Sequence, residues 1–194
     1  MKTIIGTIAI MFCLSSLCYS QFTKGKILVG GSFSANSNTS KYNDGASTSK
    51  SSSVSFNPQV GYFFLNNLAA GVGLDLVHTT FKLADNSKFT SNSISFEPFA
   101  RYYFDKLYGQ ASFHVGSTKS KSDAANSSTA NVTNIGWSLA AGYAYLLNEH
   151  VAIEPQIGYK LNYLGSSVDG TYGTLFLKIG IQVYLGRVYD SFAR

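Results

Sequence analysis

Apolar and polar side chains alternate with period two along most of this chain. From Leu175 to Leu185, the residues Leu175, Leu177, Ile179, Ile181, Val183 and Leu185 share one parity, while Thr174, Phe176, Lys178, Gly180, Gln182 and Tyr184 share the other. Such alternation marks a β-strand whose two faces meet different surroundings. Read this way, the chain predicts strands at 26–36, 52–64, 68–81, 93–104, 107–118, 133–147, 151–163 and 173–186. One parity is apolar throughout, as in Val54, Phe56, Val60, Tyr62 and Phe64 of the second strand and Ile135, Trp137, Leu139, Ala141, Tyr143 and Tyr145 of the sixth. The opposite parity is small or polar, with Ser53, Ser55, Asn57, Gln59, Gln110, Ser112 and Gln156 among its members.

The connections alternate as sharply as the faces. Polar stretches near 37–51, 82–92, 119–132 and 164–172 are separated by tight turns at Leu65-Asn66-Asn67, Asp105-Lys106 and Asn148-Glu149-His150. A tilted strand of about 9 to 11 residues crosses a bilayer, and without water its backbone groups must be satisfied by closing the sheet on itself. The predicted fold is therefore all-β, an eight-stranded antiparallel up-and-down transmembrane β-barrel with short periplasmic turns and long extracellular loops. A water-soluble ligand-binding barrel with inverted faces shares the alternation. The loop rhythm favours the membrane, as do Tyr62, Phe64, Tyr102, Phe104, Tyr143 and Tyr145, which crowd the strand ends beside the turns where an interfacial girdle belongs.

Ahead of the first strand, Lys2, an apolar run from Ile4 to Leu17 and Cys18-Tyr19-Ser20 read as a signal peptide, residues 1–20, cleaved after Ser20. Leu17 before Cys18 and Phe12 before Cys13 argue against lipid attachment at either cysteine. Both cysteines lie in that leader, so the remainder, a single barrel domain at 21–194 with a short tail at 187–194, has no disulfide or cysteine-metal site. The net charge of +5 is mild, and its lysines sit mostly in polar connections, so nucleic acid is not an expected partner.

Two strands carry one pattern, Phe56-Asn57-Pro58-Gln59-Val60-Gly61-Tyr62-Phe63-Phe64 and Phe96-Glu97-Pro98-Phe99-Ala100-Arg101-Tyr102-Tyr103-Phe104, echoed by Ile153-Glu154-Pro155-Gln156-Ile157-Gly158-Tyr159. With Leu68-Ala69-Ala70-Gly71-Val72-Gly73-Leu74, these motifs resemble the small outer-membrane β-barrel family, related to OmpX and the OmpA transmembrane domain, over essentially the whole chain after the leader. The resemblance implies the cell outer membrane and the barrel fold, and assigns no reaction. It departs at the end, where Arg187 to Arg194 follow the last strand and Lys178 to Leu185 offer the assembly machinery aliphatic residues where aromatics are usual. The three prolines, Pro58, Pro98 and Pro155, fall on the lipid-facing parity, where local bulges are expected to accommodate them.

The interior parity holds three carboxylates, Asp75, Glu97 and Glu154, against three cations, Arg101, Lys160 and Lys178, together with His114. Eight strands leave a bore only wide enough for side chains to fill, so these seven are expected to form a structural charge network within a filled lumen. Counted from the turns, Asp75, Glu97 and His114 stand at similar heights, which is the alternative: a surface enzyme, lipid hydrolase, acyltransferase or protease, with His114 as base. No pair of histidines has metal-ligand spacing, and no metal, cofactor or catalytic residue is assigned. The reading is a non-enzymatic barrel acting through its loops, with a narrow small-solute pore as a further alternative. Its expected partners are outer-membrane lipid and lipopolysaccharide, the export and barrel-assembly machinery, and a surface ligand at the loops; it is expected to be a monomer.

Overall fold

The computed structural model describes residues 22–41, 48–82, 88–122, 129–165 and 170–186; the predicted leader, Met1 to Ser20, and the tail at 187–194 lie outside them. Eight strands follow one another: β1 (Ile27–Lys41), β2 (Thr48–Leu65), β3 (Leu68–Lys82), β4 (Lys88–Phe104), β5 (Leu107–Ser122), β6 (Thr129–Tyr143, resuming at Tyr145–Leu146), β7 (Val151–Gly165) and β8 (Gly170–Leu185). Each pairs antiparallel with the next, and β8 returns to pair with β1, which closes the cylinder.

The alternation is sorted as the sequence predicts. Phe33, Phe56, Ile94, Leu139 and Leu177 are exposed on the outer wall, while Ser32, Asn57, Gln59, Ser112 and Gln156 are buried inside. The strands run further than predicted, however. The β1–β2 ladder continues to Lys41↔Thr48 and the β3–β4 ladder to Lys82↔Lys88, through segments that read as loops. Beyond the hydrocarbon both faces are wet, so Ser, Thr and Asn occupy both parities and the period-two signal fades, although the backbone ladder does not.

At the other end the connections are as tight as expected. Asn67 and Asp105 take positive φ (65° and 59°), a conformation that Asn and Asp tolerate in turns. Asn148 folds its side-chain oxygen back to accept from the amides of His150 and Val151, both at 2.8 Å. Each turn is also tied to a following strand, through Tyr103 N to Asn67 O, Ala144 N to Lys106 O and Tyr184 N to His150 O.

The prolines are accommodated without the expected bulges. Beside Pro58 the β2–β3 pairing lapses between Phe56↔Leu76 and Gln59↔Gly73, and beside Pro98 the β4–β5 pairing lapses between Phe96↔Val115 and Phe99↔Ser112. Pro155 faces the interruption of β6 at Ala144, between Gly142↔Gln156 and Tyr145↔Ile153. On both sides of every lapse the register is the same, so no extra residue is inserted. A missing N–H removes a rung and leaves the alternation of faces intact.

The small-and-polar interior parity turns large and aromatic at the turn end. Leu28, Phe63, Phe99, Tyr103, Tyr108 and Tyr184 pack there into a buried cluster around Phe22. Phe22 belongs to the segment before β1, which folds beneath the barrel: Asn67 N donates to Phe22 O at 2.7 Å, Gly25 N to Phe63 O at 2.8 Å and Lys24 N to Asn66 Oδ1 at 3.0 Å. Its ring stacks on Tyr103 at 4.0 Å between centroids and meets Tyr184 edge-on at 5.2 Å. This stopper was not anticipated, because these residues follow the interior parity in position but not in polarity.

Candidate functional site

Directly above the stopper lies Arg101, 1 % exposed, donated to the lumen by β4. Its Nη1 pairs with Glu154 Oε2 at 2.8 Å and reaches the Tyr103 hydroxyl at 3.0 Å, while Nε and Nη2 both donate to Gln110 Oε1 at 2.8 and 2.6 Å. The guanidinium plane lies over the Tyr108 ring, 4.3 Å from its centroid. Tyr184 donates to the second oxygen of Glu154 and exchanges a hydrogen bond with Tyr103. Arg101 and Glu154 are thus paired and hydrogen-bonded on several sides, the condition under which a buried ion pair is tolerated. Together they fill the bore from β4 to β7.

The remaining predicted members lie in other contacts. Asp75 Oδ2 accepts from Lys160 Nζ at 2.8 Å across the barrel. Glu97 Oε2 accepts from Asn57 Nδ2 at 3.3 Å. His114 Nε2 shares a 2.8 Å hydrogen bond with Asn162 Oδ1, and Lys178 Nζ stands over the Phe176 ring at 4.9 Å. No hydrogen bond among the described residues joins His114 to Asp75 or Glu97. Continued through the lapse beside Pro98, the β4–β5 register sets Glu97 opposite His114, and the β3–β4 register sets Asp75 one interior position further toward the loop end, so the three share a level and differ in their hydrogen-bond partners. Nor do three His, Asp or Glu side chains among the described residues gather where they could hold a metal ion.

Large interior groups are seated against glycines on the neighbouring strand. A Cβ at Gly136, opposite His114, would come within 2.7 Å of the imidazole Nε2, and one at Gly71, opposite Phe99, within 2.7 Å of that ring. Glycines at these places give the imidazole and the phenyl ring the room they occupy.

Toward the loop end the filling stops. A cavity of about 500 Å³ opens there, with Asp75, Lys160 and Lys178 at its base. Its walls are hydroxyls paired across neighbouring strands, Ser34 with Ser55 at 2.7 Å, Thr79 with Ser53 at 3.1 Å and Thr118 with Ser93 at 3.0 Å. Sequence reasoning missed this cup, because an alternation of Ser and Thr does not reveal whether the space between them is occupied.

The sequence profile of the autotransporter beta-domain matches residues 59–170, from within β2 to the start of β8. No curated protein matches the chain. Among solved structures, Ail, the attachment invasion locus protein of Yersinia pestis, is 14% identical, with 84% of this chain and 100% of that chain covered and a TM-score of 0.52. In the complex of Ail with the heparin analogue sucrose octasulfate the TM-score is 0.53. Neisserial surface protein A (NspA) is 18% identical, with 82% of this chain and 97% of that chain covered and a TM-score of 0.49. At its identity the likeness to Ail speaks to the fold, and that fold is the closed small barrel described above. The chain belongs to the autotransporter beta-domain family and is a small eight-stranded β-barrel of the outer membrane, of the OmpX-like kind.

Proposed function

We propose that this protein is a non-enzymatic, non-conducting outer-membrane barrel that works as a surface-binding scaffold through its loop end. The observation that carries the reading is the Arg101–Glu154 pair seated on the aromatic stopper of Phe22, Tyr103 and Tyr184, a continuous filling across the bore. Within it Asp75, Glu97, Arg101, His114, Glu154, Lys160 and Lys178 serve a structural purpose, keeping buried charge compensated. The hydrogen bonding of His114 to Asn162 in place of a carboxylate supports this over hydrolase or acyltransferase chemistry. Export by a leader cleaved after Ser20, insertion by the assembly machinery, contact with lipopolysaccharide and a monomeric state complete the proposal.

Planar-bilayer recording of the purified barrel tests it. The expected result is no stepwise conductance at any voltage the bilayer withstands. Discrete conductance steps from the unmodified protein would overturn the scaffold reading in favour of a pore.

A further inference from the structure

The wall of the barrel is not closed evenly. Seven residue pairs join β1 to β8, from Ile27↔Leu185 up to Phe33↔Ile179, whereas β1 stays paired with β2 as far as Lys41↔Thr48 and β8 with β7 as far as Gly170↔Leu164. Residues 34–41 of β1 and 170–178 of β8 therefore continue as strands without a ladder pair between them. Crossing hydrocarbon takes a tilted strand about 9 to 11 residues, so a seam of seven pairs that starts at the turn end parts while it is still beside the outer leaflet. Exposure follows the same line. On the interior parity, Asn36 of β1 and Tyr172 and Thr174 of β8 are exposed, while Val77, Ser93 and Thr118 on the far wall are only half-exposed.

The cup behind this opening carries unspent recognition chemistry. Asp75 is paired with Lys160, while Lys178, at the seam, has no carboxylate within ion-pair distance among the described residues; Glu97, which balances the interior set as a whole, is held by Asn57 and does not line the cup, so two ammoniums meet one carboxylate at its base. Asp75 Oδ1 and Asn134 Oδ1 are buried acceptors on the cup wall with no hydrogen-bond partner in the protein. An excess ammonium calls for an anion, and orphaned acceptors call for O–H or N–H donors. A phosphorylated sugar supplies both. The cavity of about 500 Å³ lies within the roughly 300–1,000 Å³ of small-ligand sites and has room for one or two sugar rings. Outside the opening, Leu175 and Leu177 of β8 are the most exposed aliphatic side chains of the outer wall, at 70% and 61%, with Phe33 on the β1 side. Acyl chains attached to the sugar would lie along that flank.

We propose that the cup is a binding site for the phosphorylated sugar headgroup of an outer-leaflet lipid, admitted sideways through the parted β1–β8 seam, with phosphate at Lys178 and hydroxyls at Asp75 and Asn134. The proposal rests on the surface-binding reading above and names a partner for it. Conductance and lipid binding are read in separate assays, so either can fail alone.

The test uses the whole barrel in phosphatidylcholine nanodiscs, titrated with lipid A (an acylated glucosamine disaccharide bisphosphate), with phosphatidylglycerol, and with soluble glucosamine 1-phosphate. Lipid A is expected to bind at least about tenfold more tightly than either comparator, since only it brings sugar, phosphate and acyl chains together. Lys178→Gln is expected to weaken lipid A by about tenfold and Asn134→Ala by about threefold, whereas Lys119→Gln, an exposed lysine on the outer face of β5, should change nothing. Heat-modifiable gel mobility confirms that each variant is folded. Absence of lipid A binding would overturn the proposal, as would equal loss in Lys119→Gln and Lys178→Gln. Phosphatidylglycerol binding as tightly would show that the sugar is not read, and the soluble sugar phosphate binding as tightly would show that the ligand is not lipid-borne; each outcome overturns the assignment.

Discussion

Asn57 donates from Nδ2 to the main-chain oxygen of Leu74 at 3.1 Å, and the β2–β3 register sets Leu74 opposite Pro58. The side chain of one residue thus replaces the N–H that its neighbour lacks. Asn57→Ala is expected to destabilise the barrel by about 1–3 kcal/mol, the cost of leaving that acceptor unmet. In a Pro58→Ala background the restored amide serves Leu74, so the same Asn57 truncation should cost markedly less. Urea unfolding followed by heat-modifiable mobility, run as a double-mutant cycle, reads the difference; equal costs in both backgrounds would refute the compensation.

Glu154 and Arg101 should be strongly coupled. Removing the carboxylate alone with Glu154→Ala strands a buried guanidinium and is expected to cost about 3–5 kcal/mol. Replacing both, as Arg101→Met with Glu154→Leu, should cost far less than the two single changes added together. Additive losses would mean that the pair is held by its surroundings and not by each other.

Phe22→Ala should loosen the base without opening the bore. Loss of the ring from its stack on Tyr103 is expected to cost up to about 3–5 kcal/mol, as for other buried phenylalanines. Because Arg101, Glu154 and Gln110 fill the next level, bilayer recordings of this variant should remain silent. Steps that appear with Phe22→Ala alone would show that the aromatic ring, and not the ionic level above it, blocks passage.

His114→Ala is expected to leave outer-membrane lipid composition and surface proteolysis as they are in the unmodified strain. Its imidazole is buried against Asn162 and Gly136, away from any carboxylate hydrogen bond. A defect in either assay, restored by His114→Gln no better than by alanine, would return the enzymatic reading to contention.

The sequence revealed the wall far better than its contents. Lipid on one face and a lumen on the other impose period two, so the sorting of Phe56 from Asn57, or of Leu177 from Lys178, was legible one residue at a time. Strand ends were not, because the Ser- and Thr-rich stretches of β1 and β2 meet water on both faces. The charged set was legible as a set, since only the interior parity carries it. Its pairing was not, because a count along each strand does not say which side chains meet inside the bore: Asp75 meets Lys160 from the far side of the barrel, and His114 bonds Asn162 although Glu97 stands opposite it. The stopper escaped notice for another reason, since Tyr103 and Tyr184 occupy interior positions with side chains that a parity rule assigns to lipid.

The shortened ladder between the first and last strands also sets the order in which the wall yields. With about half the rungs of its neighbours, that joint is the one a pulling force or a thermal fluctuation undoes first, and the last to zip when the chain is inserted. Amide protons of residues 170–178 that have no mate across it should exchange soonest, so the protein carries a designated line of rupture running down from its rim.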